Sequence, residues 1–174
     1  MSKSSREKFI RISITLIIAF AVWMVFDRIT KIYFDSGQFS LAQQITGSIL
    51  GIFHFTLVHN TGAAFGIFGN ATVVLGVISI VVSIVLLAMP FINAKMYNDK
   101  KTEFLFSSFQ LILIAIIAAG GIGNAIDRLV TGYVVDFICF DFIDFPVFNI
   151  ADIGVTCGIT ILAAILLCQS FKRS

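Results

Sequence analysis

The chain consists of long apolar runs broken by short polar ones, and four of the runs match the length of a membrane span. They cover about residues 10–26, 71–92, 104–126 and 150–171. A hydrocarbon core about 30 Å thick takes about 20 apolar residues as a helix, so each run predicts one transmembrane helix. Gly and Ser inside them are compatible with this, because membrane helices use small residues where they touch. Gly154 and Gly158 form such a pair in the fourth run, and the Gly120–Gly123 stretch reads as close packing in the third. Between the runs the pattern changes. Ile52-Phe53-His54-Phe55-Thr56-Leu57-Val58-His59 and Tyr133–Ile138 are rich in aromatic and β-branched residues, which predicts strands. The expected fold is an all-α integral membrane protein of four transmembrane helices. A small sheet would rest on the outer leaflet, its phenylalanines dipping into lipid.

Composition agrees. The 174 residues are 58% hydrophobic and 13% charged, against about 25% charged in a soluble domain. Mean hydropathy is +0.99. The length predicts one domain, residues 1–174. A net charge of +2 gives no hold on nucleic acid. The three cysteines, Cys139, Cys157 and Cys168, form no CxxC pair and read as small buried hydrophobes. No metal site and no cofactor are expected. The first run follows a basic start but ends in Met24-Val25-Phe26-Asp27-Arg28 without a small-residue cleavage site, so it reads as a retained helix.

Charge sets the expected orientation. Four helices place both termini and the loop from Asn93 to Glu103 on one side. That side holds Lys3, Arg6, Lys8, Arg11, Lys95, Lys100, Lys101, Lys172 and Arg173, nine of the twelve basic residues. The positive-inside rule then puts both termini in the cytoplasm. Seven of the ten acids fall on the outer side, and acids carry little weight in topology.

Those outer polar groups carry the candidate chemistry. Asp27 and Lys31 are spaced to pair on a helix, and Asn124, Asp127 and Arg128 share a helix face. Asp136 lies in Tyr133-Val134-Val135-Asp136-Phe137, and Asp152 lies in Phe148-Asn149-Ile150-Ala151-Asp152 at the head of the fourth run. One reading is a polar rim reaching water, with Asp152 a first-turn acid favoured by the helix dipole. The other is a dyad. Two close carboxylates share one proton across physiological pH, which suits the acid and base of an aspartic protease. Asp141 and Asp144 stay open as partners on this ground. His54 and His59 read as strand or loop residues, and no GxSxG or HExxH motif is present. A small transporter or proton-conducting protein is the competing class. It predicts acids spread through the membrane depth, whereas these gather at one face.

Five motifs in order carry a resemblance: Asp27-Arg28-Ile29-Thr30-Lys31, His59-Asn60-Thr61-Gly62-Ala63-Ala64-Phe65-Gly66, Gly123-Asn124-Ala125-Ile126-Asp127-Arg128, Val134-Val135-Asp136-Phe137 and Phe148-Asn149-Ile150-Ala151-Asp152. Together they resemble the bacterial lipoprotein signal peptidases (signal peptidase II). The resemblance implies a small extracytoplasmic β-cradle. It also implies cleavage of diacylglyceryl-modified prolipoproteins just before the lipidated cysteine, at the outer face of the bacterial cytoplasmic membrane. Asp136 and Asp152 match the catalytic pair. Asn60, Gly62, Asn124, Asp127, Arg128 and Asn149 match residues that position substrate and support the pair, and Asp27 with Lys31 matches a stabilising pair. Membrane lipids and globomycin-type inhibitors are expected partners. The family commonly reads Asp-Gln where this chain has Asp27-Arg28. Arg28 is expected to add positive charge on the outer side, where lipid phosphates lie. Residues from Gly51 to Gly69 are a candidate lid.

Overall fold

The computed structural model describes residues 3–36, 47–62, 72–98 and 106–173. The polar stretch around Gly37 to Gln44, motif residues Ala63–Gly66 and the last part of the candidate lid, residues 63–69, lie outside them. Among the described residues, four helices are long and apolar enough to cross a membrane. They are α1 (Lys3–Asp35), α2 (Thr72–Asn98), α3 (Ser108–Val130) and α4 (Ile150–Arg173). Two strands, β1 (Phe53–Asn60) and β2 (Val134–Phe140), pair antiparallel. The chain is therefore a multi-pass membrane protein with a small two-stranded sheet.

α1 is longer than its apolar run. Its 33 residues span about 50 Å at 1.5 Å per residue, so it outreaches the hydrocarbon core at an end. The extra turns carry Asp27, Arg28 and Lys31. A polar run ends the hydropathy signal but not the helix, because these side chains find partners inside the protein.

α3 is the central helix. Two-thirds of its most apolar window is buried, against less than a fifth in each of the other three. Those three show lipid-type surfaces, with Ile17, Val22, Val82 and Leu167 all exposed. The glycine-rich end of α3 explains how three neighbours approach it. A Cβ on Gly120 would lie 2.5 Å from the Ala151 carbonyl oxygen of α4. On Gly121 it would meet Ser83 Oγ of α2 at 2.6 Å, and on Gly123 it would meet Asp27 Oδ2 of α1 at 2.6 Å. Each glycine thus admits a different helix. Gly154 and Gly158 also divide their work, facing Trp23 of α1 and Ile117 of α3. Gly120→Ala is expected to destabilise the protein by about 1–3 kcal/mol, since the clash is with backbone that cannot rotate away. Thermal unfolding in detergent checks this, and an unchanged midpoint would show that α4 shifts freely.

The sheet lies beyond the helix ends. Phe34 at the end of α1 stacks on Phe137 of β2 with ring centroids 4.1 Å apart, and Phe55 of β1 packs on the same ring of Phe34. The strand register contains one irregularity. Phe55 pairs with Ile138, but Val58 pairs with Asp136, so β1 holds one extra residue. Side chains alternate along a strand. Without the extra residue, His59 would share a face with Asp136. The bulge puts Asn60 there instead.

Candidate active site

Asp136 sits in the middle of β2 and Asp152 in the first turn of α4. Three backbone bonds bring them together. Phe137 N and Ile138 N donate to the Phe148 carbonyl at 3.0 and 2.8 Å, and Phe148 N donates to the Ile138 carbonyl at 3.0 Å. The chain therefore returns beside β2 just before α4 begins. Asn149 then caps α4. Its Oδ1 accepts from Asp152 N at 2.9 Å, and Asp152 Oδ2 accepts from Asn149 N at 3.1 Å. This reciprocal box satisfies two helix-end donors and fixes the Asp152 side chain.

Three asparagines hold the two carboxylates. Asn149 Nδ2 donates to Asp136 Oδ1 at 2.7 Å, and Asn60 Nδ2 donates to Asp136 Oδ2 at 2.9 Å. Asn124 Nδ2 donates to Asp152 Oδ1 at 2.7 Å. Asn149 Nδ2 also reaches Asn124 Oδ1 at 3.1 Å, so both aspartates hang on one amide network. Gly62 N donates to Asn60 Oδ1 at 2.9 Å, and the Gly62 carbonyl accepts from Arg128 Nη2 at 3.4 Å.

Behind this layer lies a buried ion cluster. Asp27 is fully buried and Lys31 and Asp127 nearly so. Lys31 Nζ contacts Asp27 Oδ2 at 3.2 Å and Asp127 Oδ2 at 2.9 Å, and donates to Asn124 Oδ1 at 2.6 Å. Asp27 Oδ1 accepts from Ala151 N at 3.1 Å, which anchors the start of α4 to α1. Arg28 joins this cluster. It turns inward rather than towards lipid phosphates, and bonds Asp127 Oδ1 at 2.7 Å and Asp27 Oδ2 at 2.9 Å. The reason is the second buried carboxylate, which Lys31 alone leaves without a counter-charge. The sequence signal was its place beside Asp27 on a helix whose partner face carries Asp127.

Asp136 and Asp152 both line one cavity of about 330 Å³. Asn60 and Arg128 share its polar end, and Phe140, Phe145, Phe148, Ile153, Thr156 and Cys157 form an apolar wall continuing along α4. The sequence suggests Phe-rich walls without saying which residues form them, because Phe140 ends β2 and Phe145 and Phe148 come from the segment that returns to the sheet. Burial, then the neighbouring Asp152 charge, raises the Asp136 carboxyl to about 7 against the bonds from Asn60 and Asn149. Asp141 goes another way. It accepts from Ser48 Oγ and meets His54 Nδ1 at 2.6 Å, and the Ser48 bond, then His54, lowers its carboxyl. His59 meets Asp35 at 2.7 Å. Of the expected residues, Asp136, Asp152, Asn60 and Arg128 line the cavity. Asn124, Asn149 and Gly62 hold them, and Asp27, Lys31 and Asp127 form the layer behind. Two held carboxylates, one of them titrating near neutrality, are equipped to activate water and to protonate a leaving group.

The raised Asp136 value has a consequence for stability. A folded-state pKa near 7 means a contribution that is whole below the ordinary aspartate range, declines as pH rises, and is gone above pH 7. Asp136→Asn removes this dependence. The melting temperature of the variant minus that of the wild type is therefore expected to rise by a few degrees between about pH 5 and pH 8.5. A pH-independent difference in thermal scans would contradict it.

Comparison with known proteins agrees with this arrangement. The lipoprotein signal peptidase of Thermosynechococcus vestitus is 37% identical over 137 residues, covering 78% of this chain and 80% of that protein. That of Nostoc punctiforme is 38% identical over 148 residues, covering 85% and 84%. A bacterial membrane enzyme solved by the in meso method at 2.3 Å resolution superposes with a TM-score of 0.69. It is 30% identical and is matched over 92% of this chain and 91% of its own. The profile of the signal peptidase (SPase) II family matches residues 4–168. From the first helix to the fourth, this chain belongs to the signal peptidase II family.

Proposed function

We propose that the protein is an aspartic endopeptidase that removes signal peptides from prolipoproteins, with Asp136 and Asp152 as its reacting pair. One observation carries this reading: both carboxylates open into a single cavity whose other wall is apolar. Their shared proton rests on Asp136, whose carboxyl titrates near 7. Asp152, receiving two N–H donors, takes a proton from water as it attacks the scissile carbonyl. Asp136 donates a hydrogen bond to the developing oxyanion and protonates the leaving nitrogen. Asn60, Asn124 and Asn149 fix the pair, and Arg128 offers N–H donors to substrate carbonyls at the cavity's polar end.

The apolar wall suits a substrate that is itself lipid-bound. Diacylglyceryl-modified precursors, cut just before the lipidated cysteine, fit a site with polar groups at one end and phenylalanines along the other. Globomycin-type inhibitors would compete for the same cavity. Both termini lie in the cytoplasm of a bacterial cell and the site opens at the outer face, by the distribution of basic residues. A proton-conducting role is set aside by membership of the family. Incubating purified enzyme with lipid-modified and unmodified prolipoprotein tests the proposal. Only the modified precursor is expected to shift on a gel, and equal cutting of both would remove the lipid requirement.

Cys157 supplies a second check. It is a free, exposed thiol on the cavity wall, not the buried hydrophobe expected from the sequence, since little of α4 is covered by its neighbours. In a Cys139→Ser, Cys168→Ser background, a bulky maleimide on Cys157 is expected to lower cleavage at least tenfold by filling the substrate's path. Full activity after complete labelling would place the substrate elsewhere.

A further inference from the structure

We infer that Arg28 is a positioning residue of this site: it neutralises the ion cluster that holds the aspartate pair, and so sets the pH range in which the pair is half-protonated. The inference rests on the reading of Asp136 and Asp152 as the reacting pair. Behind them lie two carboxylates, Asp27 and Asp127, and Lys31, all at most 5% exposed. One lysine cannot balance two buried carboxylates. The Arg28 guanidinium completes the balance by bridging them. Nη1 meets Asp127 Oδ1 at 2.7 Å, and Nη2 meets Asp27 Oδ2 at 2.9 Å and the Gly123 carbonyl at 3.0 Å.

Arg28 touches neither aspartate of the pair and acts through Asp127. The other Asp127 oxygen meets Lys31 Nζ at 2.9 Å and accepts from Val135 N, next to Asp136, at 3.4 Å. Lys31 continues to Asn124 at 2.6 Å, and Asn124 to Asp152 at 2.7 Å. Among the described residues, the charges facing the pair are Lys31 from α1 with Arg28 and Asp27 behind it, and Arg128 and Asp127 from α3. Beyond these, β2 and α4 contribute Asp136 and Asp152 themselves. β1 contributes the uncharged Asn60, while its His59 is paired with Asp35. With Arg28 present the cluster of two acids and two bases carries no net charge. Without it, one uncompensated negative charge stands behind the pair and opposes ionisation of Asp136. A unit charge at roughly 10 Å in a partly buried site moves a titration by about one pH unit.

The test is kcat/KM for lipid-modified prolipoprotein from about pH 5 to 9, for wild type, Arg28→Gln, Arg28→Lys, Asp127→Asn and Asp152→Asn. Arg28→Gln is expected to move the alkaline limb up by about half a unit to one unit. Arg28→Lys keeps the charge and leaves the limb in place. Asp127→Asn leaves the cluster one charge positive and moves the limb down, which carries the test if Arg28→Gln does not fold. An unmoved limb in Arg28→Gln or in Asp127→Asn overturns the inference, even where the rate falls at every pH. So does an equal shift in Arg28→Lys and Arg28→Gln. Wild-type cleavage by Asp152→Asn would overturn the underlying reading instead.

Discussion

Asp27→Ala is expected to cost about 3–5 kcal/mol of stability, because it leaves buried cations short of a counter-charge. Asp27 has no exposed surface. Its Oδ2 balances Lys31 and Arg28, and its Oδ1 accepts from Ala151 N at the start of α4. The substitution therefore strands an ion cluster and an N–H donor together. It also unties α4 from α1 one residue before Asp152, so the site should loosen before the helices separate. Asp27→Asn retains an acceptor for Ala151 N and is expected to lose less. Denaturant or thermal unfolding in detergent measures both. A cost under about 1 kcal/mol for Asp27→Ala would mean that water enters and screens the cluster.

Asp136→Asn and Asp152→Asn are each expected to lower the rate of prolipoprotein cleavage by at least about 10³-fold, with the protein still folded. Removing one member of a pair that acts together costs nearly as much as removing both. The asparagine network argues that the fold survives. Asn60 and Asn149 hold Asp136 from two sides, and Asn124 and the Asn149 amide hold Asp152. An amide in either place keeps one acceptor oxygen and nearly the same volume. Asp136→Asn deletes the proton that a carboxyl titrating near 7 carries at neutral pH. The double variant is expected to be no slower than the worse single one.

The fold was legible where physics acts locally. A span of about 20 apolar residues is forced by bilayer thickness, so four helices could be read directly. The strand runs at Phe53 and Val134 were legible because aromatic and β-branched residues dominate them. The end of α1 was not. Its apolar run stops near Phe26 while the helix continues to Asp35, because Arg28 and Lys31 are satisfied by α3, and Asp27 by them and by α4, rather than by water. The β1 bulge was equally hidden. Nothing around Thr56 or Leu57 signals an extra residue, yet it decides that Asn60 and not His59 faces Asp136. The residues around the pair were legible as ordered motifs. Their division into a cavity layer and an ion cluster needed the three-dimensional contact of Asp127 with Lys31. Arg28 is the sharpest case. A positive charge at a membrane's outer edge points to lipid by default, and only the second buried carboxylate turns it inward.

Asp136 and Asp152 are proposed to perform the cleavage together. The most direct test is single-turnover cleavage of a diacylglyceryl-modified prolipoprotein by purified wild type, Asp136→Asn and Asp152→Asn, each shown to be folded by its melting temperature. Wild type is expected to release the signal peptide, and both variants are expected to lose at least about 10³-fold in rate. Wild-type release by either folded variant would contradict this role of the pair.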